Sequence, residues 1–272
     1  MNAWRTLTIA AFAMGSATAA HAADASAWSD DSRSSMRLIA GASNAGDPKL
    51  RAGVEIKLQP GWKTYWRYPG DSGVPPRFDF SGSDNVLRAK VLYPAPHLFT
   101  DETGNSLGYK TSVIFPVQIT PKQPGKPVTL RLKLDYAVCE KLCIPAEGKT
   151  ELNFGPGDSA NEAALSQAEA RVPKPATAAE AGLTARRVNN AAKPLVDVSV
   201  ATDKAITVFV EGPSAEWALP IPVPAQGAPA GVRHFGFELD GLPPGVDPKA
   251  PFDLTFTVIE GDRAIEVTTH LD

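Results

Sequence analysis

Apolar and polar residues alternate in short runs along this chain. Val54-Glu55-Ile56-Lys57-Leu58 and Leu130-Arg131-Leu132-Lys133-Leu134 alternate without exception, and residues 113–119 do so in part. A period of two marks a strand with one face buried and the other in solvent. Turn-forming residues separate the runs: Gln59-Pro60-Gly61, Pro69-Gly70-Asp71, Gly82-Ser83-Asp84 and the stretch from Pro121 to Pro127. Short strands punctuated in this way predict an antiparallel β-sandwich. The pattern returns near the carboxy end, in Val196–Val200, Ile206–Val210, Phe235–Leu239 and Leu254–Val258, and predicts a second sandwich.

The segment between these regions has a different character. Ser159 is placed to cap a helix running from Asn161 to Arg171, which Pro173 and Pro175 would stop. A second, smaller helical pattern covers Ala178–Val188. Residues 156–193 therefore read as a partly helical linker. The amino end differs again. Arg5, the apolar run Leu7–Met14 and Ala20-His21-Ala22 predict a secretory signal peptide, residues 1–22, cleaved after Ala22. The apolar run is too short to span a membrane, which takes about 20 residues. The expected division is a signal peptide over 1–22, a first β-sandwich over 23–155, the linker over 156–193 and a second β-sandwich over 194–272. Such a chain is all-β, exported and soluble.

Composition narrows the function classes. The 25 Pro and 22 Gly among 272 residues suit many turns and exclude a helical bundle. Lys and Arg number 27 against 30 Asp and Glu, so no basic field is available for nucleic acid. His97, His234 and His270 have no paired spacing, and no metal or cofactor site is expected from them.

The one chemical feature is the cysteine pair, Cys139 and Cys143, in Asp135-Tyr136-Ala137-Val138-Cys139-Glu140-Lys141-Leu142-Cys143-Ile144-Pro145. It follows directly on an alternating strand. On an extended strand the two residues would lie about 13 Å apart. A disulfide needs Cα atoms within about 7 Å, so the chain must turn between them if they pair. An oxidising compartment permits that bond. Closing so small a ring stabilises a fold by only about 2 kcal/mol on the loop-entropy model. Three readings follow from the residues alone: a structural staple, thiol–disulfide exchange, or part of a metal site. Lys141 would favour a thiolate and Glu140 would oppose it. The dense aromatics Trp62, Tyr65, Trp66 and Tyr68 either fill a core and a surface edge or wall the cysteine turn.

Longer motifs carry a family resemblance. They are Gly61-Trp62-Lys63-Thr64-Tyr65-Trp66-Arg67-Tyr68-Pro69-Gly70-Asp71-Ser72-Gly73-Val74-Pro75-Pro76, then Tyr93-Pro94-Ala95-Pro96, Gly108-Tyr109 and the Cys139–Pro145 motif. In that order, over residues 33–155, they resemble the periplasmic amino-terminal domain of DsbD-type thiol:disulfide interchange proteins, in the branch that includes the copper-sensitivity suppressors. Residues 194–272 resemble, more weakly, the second sandwich of that branch. The resemblance implies two immunoglobulin-like β-sandwich domains and thiol–disulfide exchange in the periplasm, a protein-disulfide reductase activity. It implies that Cys143 forms the mixed disulfide and Cys139 resolves it. It also implies a membrane-embedded electron donor, encoded separately because the family's membrane and thioredoxin-like domains are absent. The acceptor would be a periplasmic thioredoxin-fold disulfide protein.

The family shields its cysteines with a cap loop, where this chain reads Asp101-Glu102-Thr103-Gly104. Thr103 replaces an aromatic, and Phe99 or Leu98 is the expected substitute. Asp101, Glu102, Phe99 and Tyr136 complete the expected cap and site wall. The alternative from a different class is a non-catalytic interaction or copper-tolerance module whose disulfide is a staple.

Overall fold

A computed structural model describes residues 24–101, 104–188 and 194–272, so the expected signal peptide and the cap residues Glu102 and Thr103 lie outside the described residues. The first eleven strands are β1 (Ser29–Asp30), β2 (Ser34–Ala40), β3 (Leu50–Leu58), β4 (Lys63–Gly70), β5 (Arg77–Asp79), β6 (Val86–Val91), β7 (His97–Asp101), β8 (Gly104–Lys110), β9 (Ser112–Pro121), β10 (Val128–Cys139) and β11 (Cys143–Phe154). Helix α1 (Glu162–Ala170) comes next. Then follow β12 (Lys174–Pro175), β13 (Leu183–Val188), β14 (Leu195–Ala201), β15 (Thr207–Glu211), β16 (Val223–Pro224), β17 (Val232–Glu238), β18 (Phe252–Glu260) and β19 (Arg263–Leu271).

The first eleven strands make two facing sheets, in the orders β1-β2-β3-β9-β6 and β11-β10-β4-β8-β7. Strand β10 holds β4 at its carboxy end, through Val138 and Cys139, and β5 further back, through Lys133–Asp135. The later strands make two more sheets, β12-β19-β18-β15 and β13-β14-β17-β16. The chain is all-β with immunoglobulin-like sandwiches, as the alternation and the resemblance predicted.

Alternation decides what each strand buries. On β10, Leu130, Leu132, Leu134, Tyr136 and Val138 enter the core between the first two sheets, with Met36, Val54, Phe115 and Phe154. The second core gathers Val196, Val198, Val208, Val210, Phe235, Phe237, Phe256 and Val267. Burial of such side chains stabilises by about 1.5–3 kcal/mol each.

The middle segment departs from expectation in two places. Residues 183–188, expected to be helical, form β13, paired with β14 from Leu183↔Val200 to Val188↔Leu195. Pairing with a buried partner strand overrides a weak helical pattern. The helix starts at Glu162, with Asn161 as its N-cap, rather than being capped by Ser159. Ser159 instead donates to Ala40 O at 2.7 Å and accepts from Asn161 N at 3.0 Å. Nor does α1 hang free between sandwiches. Leu165 is fully buried. It sits over Gly41 and Gly53, where an added Cβ would come within 2.4 and 3.1 Å of its methyl groups. Arg51 of β3 ties the helix down through Glu162 at 2.8 Å and Glu169 at 2.6 Å.

The two sandwiches share a contact through β4. Phe209 of β15 is buried in the first core, its ring 6.2 Å from that of Trp66. Arg67 binds both Glu211 and Glu266 of the second sandwich. Its guanidinium also lies 4.5 Å from the Trp66 ring. The Tyr68 hydroxyl donates to Leu219 O.

Candidate functional site

Strands β10 and β11 are a hairpin in full register from Val128↔Phe154 to Cys139↔Cys143, closed by Glu140, Lys141 and Leu142. The expected turn brings the two Cα atoms to 4.2 Å, and the sulfurs are bonded. The two cysteines differ sharply in access. Cys139 is 2% exposed, whereas Cys143 is exposed. Cys143 opens β11, the edge strand of its sheet. Pro145 lies two residues further along it, where a missing N–H is tolerated. Leu142, in the turn, is 78% exposed, and Ile144 is 39% exposed.

Alternation also explains why Cys139 is buried outside the core. Tyr136 and Val138 point inward, so Ala137 and Cys139 point to the outer face of the sheet. Earlier outer positions on β10, such as Arg131, Lys133 and Asp135, are polar. At Ala137 and Cys139 that face becomes apolar because Tyr65 covers it, and the three side chains form a small buried cluster of their own. The Tyr65 hydroxyl donates to Cys139 Sγ at 2.7 Å and lies 3.0 Å from Cys143 Sγ. Burial first, and then the charge of Asp101, push its pKa up to about 12. At neutral pH it is therefore a fixed donor aimed at both sulfurs. Its ring also lies against Gly73, where an added Cβ would come within 2.6 Å of the ring.

The four aromatics thus divide between the two readings. Tyr65 walls the sulfurs, Trp66 is core, Tyr68 joins the second sandwich, and Trp62 packs at the rim under Arg33, 5.2 Å from its ring. Tyr136 does not line the site. It is on the core face, and its hydroxyl pairs with Ser34 Oγ at 2.7 Å, because its position on β10 is odd with respect to Cys139.

The residues flanking Glu102 and Thr103 are paired strands. Strands β7 and β8 pair from His97↔Gly108 to Asp101↔Gly104 beside β4. Phe99 is half-buried on β7, its ring 5.7 Å from Lys63 Nζ and 4.6 Å from Lys110 Nζ. Asp101 accepts from Lys63 Nζ at 2.8 Å. Lys63 also donates to the buried Ser106 Oγ at 2.9 Å. Sequence reasoning did not assign Lys63 to the site. The signal was present in Lys63-Thr64-Tyr65-Trp66, where alternation puts Lys63 and Tyr65 on one face of β4 and Thr64 and Trp66 on the other. No group of three or more His, Cys, Asp or Glu side chains suited to a metal occurs among the described residues.

Residues 40–155 match the family described as "Thiol:disulfide interchange protein DsbD, N-terminal". Among solved structures, the N-terminal periplasmic domain of ScsB from Proteus mirabilis aligns with a TM-score of 0.70 at 21% identity. The alignment covers 91% of this chain and 98% of that one, so the likeness in fold extends over both sandwiches. The CupB6 tip adhesin from Pseudomonas aeruginosa, at 9% identity over 92% of this chain and 99% of its own, reaches a TM-score of only 0.17 and carries no argument. No curated protein matches the chain.

Proposed function

We propose, from the match of residues 40–155 to the DsbD N-terminal family, that this chain is a periplasmic thiol–disulfide exchange protein, a relay of electrons through Cys139 and Cys143. The observation that carries the proposal is the unequal pair: one exposed cysteine, one buried cysteine, and a hydroxyl aimed at both sulfurs. A staple has no use for this asymmetry, whereas exchange depends on which sulfur is attacked and on how well the other leaves.

The reaction balances as two successive displacements. A thiolate of a membrane-embedded dithiol donor attacks Cys143 Sγ. The Cys139–Cys143 bond breaks, Cys139 leaves as a thiolate, and a mixed disulfide joins the donor to Cys143. The donor's second thiolate then attacks its own partner sulfur and releases Cys143. The donor ends as a disulfide and this chain as a dithiol, with protons taken from water. Delivery runs the other way. Cys143 attacks the disulfide of a thioredoxin-fold acceptor, and Cys139 resolves the mixed disulfide, leaving the acceptor reduced. The exposed Leu142 and Ile144 offer the acceptor an apolar rim beside Cys143.

Two measurements test this reading. Thiol trapping in living cells should find a reduced fraction of Cys139/Cys143 that disappears when the membrane donor is removed. A Cys143→Ala variant should lose transfer to a thioredoxin-fold acceptor, while Cys139→Ala should accumulate the mixed disulfide. A pair that stays oxidised in cells and a Cys143→Ala variant that still transfers would each overturn the proposal.

A further inference from the structure

The redox step leaves a charge on a sulfur that is almost out of water. Cys139 is 2% exposed and packed against Ala137 and Tyr65. A buried anion is costly unless something compensates it, and Tyr65 supplies only a hydrogen bond. The cross-strand partner of Cys139 is Lys63, in register on β4. Paired residues on adjacent strands project to the same face, with Cβ atoms about 4.5–5.5 Å apart. The Lys63 side chain is 8% exposed, a rare state for a lysine. In the disulfide form its ammonium is held by Asp101 and Ser106.

Taking the exchange reading as the premise, we infer that Lys63 is the counter-charge of the Cys139 thiolate, and that Asp101 is the counterweight that limits it. When Cys139 leaves as a thiolate, Lys63 stabilises the leaving group. When Cys139 attacks to resolve a mixed disulfide, Lys63 keeps it ionised. The other charges around the pair are placed differently. Lys110 of β8 is exposed and lies over the Phe99 ring, and Lys141 is exposed in the turn. Glu140 lies over Gly61, where an added Cβ would be 3.0 Å from its carboxylate. Tyr65 faces the sulfurs as a neutral donor. Lys63 is thus the one buried cation among the described residues on this face.

The test sets two variants of the full chain against each other. Each is equilibrated with glutathione redox buffers, and the Cys139 thiolate is titrated by its ultraviolet absorbance in a Cys143→Ser background. Lys63→Met removes the counter-charge. It should lower the reduction potential by about 30 mV, a tenfold change in the equilibrium constant, and raise the thiol titration. Asp101→Asn removes the counterweight and should move both readouts in the opposite direction. Lys63→Arg should recover most of the Lys63→Met shift. If the ion pair merely fastens the hairpin, both variants break the same bond and shift the readouts the same way, which would overturn the inference. So would no shift in either. Should Lys63→Met fail to fold, the direction of Asp101→Asn decides alone, since that side chain is 41% exposed. If the wild-type pair does not exchange with glutathione at all, the exchange reading fails rather than this one.

Discussion

Replacing Tyr65 by Phe removes one oxygen and leaves the ring, so the covering of Cys139 and the contact with Gly73 persist. What is lost is the donor at 2.7 Å from Cys139 Sγ and 3.0 Å from Cys143 Sγ. A hydrogen bond to a charged group contributes about 1.5–3 kcal/mol, and one between neutral groups about 0.5–1.5 kcal/mol. The hydroxyl therefore favours the thiolate over the disulfide by a difference of about 1–2 kcal/mol. At about 1.4 kcal/mol per 30 mV for a two-electron couple, Tyr65→Phe should make the reduction potential more negative by about 20–45 mV. The assay is equilibration with graded glutathione buffers, acid quench, alkylation and counting of modified cysteines. A thermal melt of the oxidised protein serves as the control, and it should move little because the core face of β4 is untouched. An unchanged potential, or one that moves to less negative values in a folded variant, would refute the argument that Tyr65 stabilises the departing sulfur.

Further expectations follow from other parts of the fold. Phe209→Ala empties a fully buried site in the first core from the second sandwich and should cost about 3–5 kcal/mol in urea unfolding; a loss below about 1 kcal/mol would mean the sandwiches are not packed as one. Leu142→Asp should slow transfer to a thioredoxin-fold acceptor while stability stays within about 0.5 kcal/mol, as for other exposed positions; unchanged transfer would remove the apolar rim from the docking surface. Burial raises the Glu162 carboxyl, but its bonds from Ser166, Arg51 and the Ala42 N–H outweigh this and hold it below the usual glutamate value. Its contribution is therefore complete above the unfolded value and is lost as pH falls through the lower folded value. Melting curves below about pH 4.5 should show a loss that Glu162→Gln removes; identical acid profiles would count against the tie between α1 and β3.

Much of this was legible in the residues themselves. Leu130 to Leu134 and Val54 to Leu58 alternate without interruption, and both are strands with the predicted faces buried. The turn between the cysteines followed from reach, given that the two pair. What escaped was whatever depends on partners distant in sequence. Residues 183–188 look weakly helical in isolation and become a strand because Val196, Val198 and Val200 are next to them. Leu165 looks like one apolar residue on a linker helix, and it is buried because two glycines far upstream leave it a seat. Tyr136 is adjacent in sequence to the cysteine motif but belongs to the opposite face. Lys63 is remote in sequence and becomes the neighbour of Cys139 only through the pairing of β4 with β10.

Strand β4 serves two masters within six residues. Tyr65 reaches the sulfurs and Lys63 pairs in register with Cys139, while Trp66, Arg67 and Tyr68 grip the second sandwich, at about 3.3 Å per residue. The boundary between repeating sandwiches in the sequence is therefore not a boundary of mechanical independence. The side chains that face the sulfurs and those that hold the carboxy-terminal half are neighbours on one strand, with the pairing to β8 interrupted between Tyr65 and Gly70. Excising that half would bare Trp66 and strip Arg67 of both carboxylates on the strand that pairs with Cys139. A graft of the cysteine hairpin onto another scaffold would therefore need β4, with Tyr65, to travel with it.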